Sequence, residues 1–314
     1  MRNIVNLDLN SHEQRLVHPT AIVQGDLSLG EGAAIGPFCT IEGSVKIGPG
    51  TNILANTSIC GNTVIGARCT IGPHCVIGAP PQHRGYDGCE SFVVIEDDVV
   101  IREFATVHRA MTAGVEHATH IARGAMLMVG SHVGHDCRVG ECATLANAVQ
   151  LGGHVSVGDH AFIGGGAVIH QFVRIGRLAI VAGGEALAKD VMPYGAVFHD
   201  RHKGYNAVGC RRAGMDPAHV HALRAVFRRI HAAPSAVQAA RQLRAQRHDD
   251  SVPAVRELLE FIESSARGIQ PSSKSPEHDH APAESPANNH ISRRNGGDRW
   301  AAEKVIRQSG PLNR

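Results

Sequence analysis

Aromatic side chains are scarce in this chain, and a strong net charge is absent. Aromatic residues make up 4% of the 314 residues, with one Trp, which excludes a globular core built on aromatic packing. The formal net charge of +2 is too small to indicate a nucleic-acid-binding protein. No apolar run approaches the roughly 18 residues of a membrane span, and residues 1–15 lack the apolar stretch of a secretory signal. We therefore expect a cytoplasmic protein.

What the chain has instead is an apolar residue at every sixth position. One register runs from Val23 to Ile77, and another runs from Ile121 to Leu187. Helices repeat every 3.6 residues or so and strands about every two, so a period of six fits neither alone. The period is typical of a hexapeptide β-helix, in which short strands wind around a prism and one side chain per hexapeptide points inward.

Small residues accompany the inward column. The position four after the inward residue is mostly small, which fits a narrow prism, and it includes Cys39, Cys69, Cys75 and Cys137. The eight cysteines have no metal-like spacing, so we expect these four to be packing residues in a reducing compartment. A Gly-rich β-sandwich, the alternative, would show turns about every 8–12 residues and no fixed period.

The periodicity divides the chain into three parts. A β-helix domain is predicted over 1–193, with projecting loops at 79–94 and 109–120, where the period breaks. Loops on a regular solenoid commonly carry binding function. A helical C-terminal domain is predicted over 194–269, and 270–314, rich in Pro, Ser, Asn, His and charge, is predicted to be disordered.

Three helices are predicted within the C-terminal domain, after a loop-like stretch at 194–214. The first begins at Asp216-Pro217, an N-cap followed by a proline in the first turn. The others span about Ser235–Arg247 and about Val252–Ala266.

Polar groups converge on one edge of the predicted prism. Three hexapeptides make a coil of 18 residues, so His135, Gly153 and Gln171 stack at the strand spacing of about 4.8 Å. His154 and His170 lie one residue to either side of this column. An edge cluster of this kind suits a cleft between neighbouring subunits.

The cluster allows several interpretations. Asp136 beside His135 provides the carboxylate that fixes the tautomer of a general base. His132 and His154 could instead join His135 in a zinc site, as in carbonic-anhydrase-like metalloproteins. His135 could also be a solvated surface residue on a purely structural solenoid, and Arg211-Arg212 either a phosphate clamp or a solvated pair.

Four segments resemble the UDP-N-acetylglucosamine acyltransferases of lipid A biosynthesis. They are HVGHDC at 132–137, LGGHVSVGD at 151–159, VIHQF at 168–172 and GYNAVGCRRAGM at 204–215, and the likeness covers roughly residues 17–269. The resemblance implies a left-handed β-helix homotrimer with a small helical C-terminal domain. It also implies that the 3-hydroxyl of UDP-N-acetylglucosamine attacks the thioester of a 3-hydroxyacyl chain on acyl carrier protein. No metal or cofactor is required, because a thioester is already activated.

The same resemblance assigns roles to residues. His135 would be the general base, Asp136 its orienting partner, and the Gly153 N–H an oxyanion donor. Gly183 would leave room for a long acyl chain. The residues implied to contact the nucleotide sugar or the acyl chain are Gln82, His132, His154, His170, Gln171, Asn206 and Arg212.

The chain departs from the family pattern in one loop and leaves some choices open. Where the family has Asp and Lys to contact the sugar and its phosphate, this chain has His83 and Gly85, and Arg84 could supply the missing cation. The acceptor could therefore be another nucleotide amino sugar or the 3-amino analogue of the usual one. The length of the acyl chain also stays open. The N-acyltransferase of the later pathway step has a domain before its coils, whereas these coils begin by about residue 18. Basic residues of the first C-terminal helix, Arg224, Arg228 and Arg229, could contact the acidic carrier protein or form a solvated face.

Overall fold

The computed structural model describes residues 17–246 and 252–272. These residues form a parallel β-helix, a β-hairpin and four α-helices. The disorder predicted for 270–314 lies, from residue 273 onward, outside the described residues. No helix in the described ranges is both long and apolar enough to span a bilayer.

Short parallel strands stack on three faces of the β-helix. Two longer strands, β1 (Ile22–Leu29) and β3 (Thr40–Ile47), pair in parallel at its N-terminal end, and β3 pairs with strands of two faces. The first face comprises β2 (Ala34–Ile35), β4 (Asn52–Ile53), β7 (Thr70–Ile71), β10 (Val100–Ile101), β13 (Met126–Leu127), β16 (Thr144–Leu145), β19 (Phe162–Ile163) and β22 (Ile180–Val181).

The other two faces both start from β3. The second comprises β5 (Ser58–Cys60), β8 (Val76–Ala79), β11 (Thr106–His108), β14 (His132–Val133), β17 (Gln150–Leu151), β20 (Val168–Ile169) and β23 (Ala186–Leu187). The third comprises β6 (Asn62–Ile65), β9 (Phe92–Ile95), β12 (Thr119–Ile121), β15 (Arg138–Val139), β18 (Ser156–Val157) and β21 (Arg174–Ile175).

The predicted inward column forms the core of the β-helix. Ile59, Ile101 and Leu145 are completely buried, because each strand presents its second residue to the prism interior. The four cysteines predicted to pack inside are also buried, which confirms that prediction. Burial raises the pKa of the Cys137 thiol to about 12, so it is an inert packing group whose Sγ contacts the Gly152 carbonyl at 3.1 Å.

The corners of the prism place particular side chains at its edges. At many corners the third residue after the inward residue has a positive φ, as do Asp136 (59°), His154 (60°) and Phe172 (65°). Non-glycine residues adopt this left-handed conformation only where a turn requires it. These three residues recur every 18 positions, so their side chains project from one edge on consecutive coils.

Both predicted loops are present, each with narrower limits than the period indicates. The first occupies 80–91, because Phe92–Ile95 already pairs with Asn62–Ile65 as strand β9. The second lies between His108 and Thr119 and contains a 3₁₀-helix, Val115–His117.

The stretch at 194–214 is not a loop, so that prediction was wrong. Strand β24 (Gly195–Phe198) continues the first face by pairing with β22, and β25 (Arg201–Tyr205) pairs antiparallel with β24. Helix α1 (Ala207–Arg212) follows. None of these elements has the hexapeptide period, because the chain stops winding around the prism at this point.

Three longer helices complete the C-terminal part. They are α2 (Pro217–Ala232), α3 (Ala236–Ala245) and α4 (Pro253–Glu263). Asp216 caps α2 as predicted, its Oδ1 accepting from the Ala218 N–H at 2.7 Å. A second core forms from the inner faces of these helices, with Leu223, Phe227 and Leu258 among its buried members. Helices α3 and α4 are shorter than their predicted spans, and the domain limits at 193 and 269 stay a prediction.

Candidate functional site

A histidine–aspartate pair lies at the edge of the prism, just after strand β14. The Nδ1 of His135 is 2.6 Å from the Oδ2 of Asp136, and the two side chains are 12% and 10% exposed. The Met111 N–H donates to both carboxylate oxygens at 3.2 Å, and the Asp136 N–H donates to Thr119 Oγ1 at 2.8 Å. Because a carboxylate only accepts, Nδ1 holds the proton and Nε2 keeps its lone pair.

Gly153 lies directly against the His135 ring. A Cβ at position 153 would lie 2.4 Å from Cε1 and 2.6 Å from Nε2 of that ring, so this position has no room for a side chain. Among the described residues, no carbonyl or side chain accepts a hydrogen bond from the Gly153 N–H. This edge therefore presents a base and an unpaired amide donor side by side.

A pocket of about 350 Å³ opens over this pair. Its lining residues are Gln82, His83, His108, Gly134, His135, Gly152, Gly153 and Gln171. The stacking of His135, Gly153 and Gln171 follows the predicted 18-residue register, since Val133 pairs with Leu151 and Leu151 with Ile169. The loop after β8 supplies Gln82 and His83, so an irregular segment covers a regular column.

Further imidazoles surround the base. The ring centroids of His83 and His154 lie 5.7 Å and 5.2 Å from that of His135, both edge-on. His154 stacks on Phe172, with centroids 4.5 Å apart and planes 7° apart. Its Nε2 lies 3.6 Å from Asp136 Oδ2, too far for a hydrogen bond. Burial, the largest influence, lowers the pKa of His154; the nearby Asp136 carboxylate opposes this shift, and the neighbouring His135 and His83 add to it.

A second imidazole pair lies deeper, on the strands that lead to the site. The His108 Nδ1 is 2.6 Å from the Pro80 carbonyl, and the His132 Nδ1 is 2.8 Å from Thr106 Oγ1. Their ring centroids are 5.2 Å apart. Burial, followed by the nearby His108 and His135, lowers the pKa of His132 to about 4. His132 is therefore a neutral hydrogen-bonding group at physiological pH.

Besides Asp136, His132 and His154, four predicted residues do not line this pocket. His170 is exposed, with its Nδ1 3.2 Å from the Gln171 carbonyl. Gly183 belongs to another edge, where a Cβ at 183 would lie 3.0 Å from the Gly165 carbonyl. Asn206 caps α1, its Oδ1 accepting from the Gly209 N–H while its Nδ2 donates to the Leu178 carbonyl. Arg212 is exposed at the end of α1.

Sequence reasoning missed His108, Met111 and Thr119. His108 is one of 21 histidines and has no distinguishing motif. Met111 acts through its backbone N–H, which depends on the loop conformation, and Thr119 reaches Asp136 from the coil before it. The zinc set of His132, His135 and His154 is not assembled within the described chain, because His132 faces Thr106. Asp136 takes its place, with one ligand atom each from His135, Asp136 and His154 within 4.8 Å of one another.

Two sequence profiles of known protein families match parts of this chain. A sequence profile described as "Udp N-acetylglucosamine O-acyltransferase; Domain 2" matches residues 190–270, and one described as "Bacterial transferase hexapeptide (six repeats)" matches 44–79.

Two relatives are named acyl-[acyl-carrier-protein]–UDP-N-acetylglucosamine O-acyltransferase. The protein of Anaeromyxobacter sp. (strain K) is 38% identical over 256 residues, covering 81% of this chain and 98% of the relative. That of Sulfurovum sp. (strain NBC37-1) is 40% identical over 255 residues, covering 81% and 96%. The crystal structure of the Francisella novicida UDP-N-acetylglucosamine acyltransferase is also similar, with a TM-score of 0.77 and 30% identity, covering 83% of this chain and 99% of that one.

Proposed function

This chain belongs to the acyl-[acyl-carrier-protein]–UDP-N-acetylglucosamine O-acyltransferase family, and from that premise we propose how its own residues perform the reaction. The chain is an acyltransferase that acts on UDP-N-acetylglucosamine in lipid A biosynthesis. The donor we propose is a 3-hydroxyacyl chain held as a thioester on acyl carrier protein, and the acceptor atom is the 3-hydroxyl of the sugar.

His135 acts as the general base. Its Nδ1–H is held by Asp136 at 2.6 Å, so the Nε2 lone pair is free to take the proton of the sugar hydroxyl. As that proton leaves, the hydroxyl oxygen bonds to the thioester carbon, and the imidazolium is stabilised by the adjacent carboxylate. The tetrahedral intermediate then expels the carrier thiolate, which receives the proton from His135. The observation that supports this assignment most is the short His135–Asp136 contact at the wall of the pocket.

Gly153 supplies the oxyanion contact. Its N–H has no acceptor among the described residues, and its lack of a side chain lets the His135 ring pack against it. A backbone donor fixed in this way stabilises the charge that develops on the thioester oxygen without reorganisation during the reaction.

His83 contacts the acceptor sugar through a hydrogen-bond donor. The Gly85 N–H donates to His83 Nδ1 at 3.0 Å, which leaves the proton of the neutral ring on Nε2. The family resemblance implies a carboxylate acceptor at this position. The departure thus reverses the polarity of one sugar contact while leaving the base and the oxyanion donor in place.

The active enzyme is a homotrimer in the cytoplasm. Gly183, Asn206 and Arg212 do not line the pocket of one chain, and Gly183 lies on a different edge from His135. A neighbouring subunit would bring such an edge to the pocket and complete the acyl and nucleotide contacts. Exposed aromatic side chains along the prism, including Phe172 at 50% and Phe104 at 59%, favour such association.

Acyl transfer from 3-hydroxyacyl carrier protein to UDP-N-acetylglucosamine tests this function. We expect wild-type protein to form the 3-O-acyl product and His135→Ala to lose about 10²–10⁴-fold in turnover, typical of a lost general base. Lys189 is exposed and lies outside the pocket, so Lys189→Ala is the control for purification and folding. Near-normal turnover by His135→Ala would overturn the assignment of the base. Wild-type transfer only to another nucleotide amino sugar would overturn the acceptor but keep the mechanism.

A further inference from the structure

Three metal-binding groups meet on the Nδ1 side of the catalytic imidazole. Asp136 Oδ2 lies between the two rings, 2.6 Å from His135 Nδ1 and 3.6 Å from His154 Nε2. One ligand atom from each residue lies within 4.8 Å of the other two. Two imidazoles and one carboxylate form a ligand set that Zn²⁺ uses in proteins, with water in the fourth position.

The three groups are already held in place. The Met111 N–H fixes the Asp136 carboxylate, and the His154 ring is stacked on Phe172. In a single chain the His154 side chain is 40% exposed, whereas those of His135 and Asp136 are nearly buried, so His154 is the ligand nearest to solvent. With bonds of about 2.0–2.1 Å, tetrahedral ligand atoms lie about 3.3 Å apart. The Asp136–His154 distance of 3.6 Å is close to that value, and the His135–Asp136 contact would open from 2.6 Å.

We propose that these residues form an inhibitory site for Zn²⁺ or a similar divalent transition metal, with His135 Nδ1, Asp136 Oδ2 and His154 Nε2 as ligands. The metal takes the Nδ1 lone pair, and the ring proton moves through solvent from Nδ1 to Nε2. No net proton is released, and nothing is oxidised or reduced. A neutral imidazole with a proton on Nε2 has no lone pair facing the acceptor hydroxyl, so the base is switched off.

The position of the ion determines the kind of inhibition. The metal would lie behind the imidazole, on the side away from the bound substrates, rather than in the pocket. Substrates would still bind, so we expect turnover to fall while the KM for the nucleotide sugar stays constant. The inhibition rests on the proposed role of His135 as the base, whereas metal binding itself can be measured without any assay of acyl transfer.

Cobalt is the probe, because Co²⁺ in a four-coordinate histidine–carboxylate site has visible d–d absorption that the hexaaqua ion largely lacks. We would titrate CoCl₂ into the full-length protein, its His154→Gln variant and its His160→Gln variant. His160 is the matched control, because it occupies the same turn position one hexapeptide later, with a φ of 56°, on a different edge. We expect one ion per chain in wild type and His160→Gln. In His154→Gln we expect affinity to fall by about 10-fold or more, because loss of an outer-shell partner alone typically costs about 10–100-fold and His154 is itself a ligand.

The activity arm uses ZnCl₂ followed by a chelator. Loss of turnover at unchanged KM, restored by the chelator, would support the proposal. Competition between Zn²⁺ and the nucleotide sugar would place the ion in the pocket and overturn it. Co²⁺ binding that is unchanged in His154→Gln, or absent from wild type, would also overturn it. If no acyl transfer is detected at all, the proposed function fails while the cobalt titration still decides the metal site.

Discussion

At the scale of single residues, the site depends on one position where a side chain is excluded. Gly153 contacts the ring that acts as base and also offers the N–H that we assign to the oxyanion. Both contributions need the imidazole and the amide within a few ångströms of the same reacting carbon. Glycine at 153 is therefore a requirement of the chemistry as well as of packing.

Gly153→Ala should inactivate the enzyme without unfolding it. The new Cβ would lie 2.4 Å from Cε1 of His135, so the imidazole must move away from the acceptor. Misplacement of a catalytic group by about 1 Å costs about 10²-fold in rate, and we expect a kcat loss of that order. The measurement is kcat for acyl transfer beside the midpoint of thermal unfolding. A wild-type kcat would contradict the requirement for glycine at 153 that the contact with the His135 ring implies.

His83 offers a second test at this scale. His83→Ala removes the Nε2–H donor, and we expect the KM for UDP-N-acetylglucosamine to rise about 10-fold with a smaller change in kcat, as for one hydrogen bond lost. His83→Gln is the matched control, because its amide N–H can reach the position of ring Nε2 and should keep KM within about threefold. The measurement is KM at saturating acyl carrier protein. Equal KM values for all three proteins would show that the sugar does not contact this position.

Part of the site follows from sequence spacing, and part depends on the folded loops. The 18-residue coil predicts that His135, Gly153 and Gln171 meet, and the strand register confirms this stacking. The contact of the Met111 N–H with Asp136 depends on how the second loop folds back, which no period encodes. The irregular conformation of residues 80–91 likewise places His83 in the pocket, against the ring of His135. The functional roles of all these residues stay predictions.

At the scale of elements, each two-residue strand has one inward and one outward side chain. In β4, Ile53 is completely buried while the preceding Asn52 is exposed. The hexapeptide period predicts every such inward position, and thereby the three-faced prism. It could not predict β24 and β25, because β24 joins the first face only after the period has ended and β25 runs antiparallel to it.

Strand β4 provides a matched pair for testing the core. Ile53→Ala removes a fully buried aliphatic side chain and should lower the free energy of unfolding by about 2–5 kcal/mol, since the narrow prism cannot collapse onto the cavity. Asn52→Ala, its exposed neighbour, should change that free energy by less than about 0.5 kcal/mol. Guanidinium chloride unfolding followed by circular dichroism measures both. Equal effects would contradict the inward assignment of position 53.

At the scale of the whole molecule, a buried ionic network joins the β-helix to the helices. Asp190 is 1% exposed and accepts from Arg174 Nε at 3.0 Å, and Ser265 Oγ donates to it at 2.9 Å. The Arg174 guanidinium also donates to the backbone carbonyl of Phe261 at 2.9 Å. It lies over the phenyl ring of the same residue, 4.2 Å from the ring centroid. Removing Arg174 would leave the buried charge of Asp190 unpaired, so the intact network stabilises this joint against loss of either partner.

A second feature of this joint makes stability depend on pH. His202 in β25 is completely buried beside His231 of α2, with ring centroids 6.4 Å apart, and its Nε2 accepts from the Met192 N–H at 3.3 Å. Burial, then the neighbouring His231, lowers the pKa of His202 from 6.5 to about 3, and burial also lowers the pKa of His231. Between pH 6.5 and 3 the unfolded chain therefore binds protons that the folded chain does not.

Acidification should accordingly destabilise the fold, and His202→Phe should weaken that dependence. The His202 contribution is fully present above its unfolded pKa of 6.5 and is lost as the pH falls toward about 3. Each pH unit in this window costs about 1.4 kcal/mol for that group. The measurement is the free energy of unfolding between pH 7 and pH 5 or so, with His160→Phe as the exposed control that should keep the wild-type slope. Because His202→Phe leaves the Met192 N–H without its acceptor, we also expect a pH-independent loss of about 1–3 kcal/mol, so the test is the slope of the stability with pH rather than its absolute value. A slope equal to that of wild type would show that His202 does not link the joint to pH.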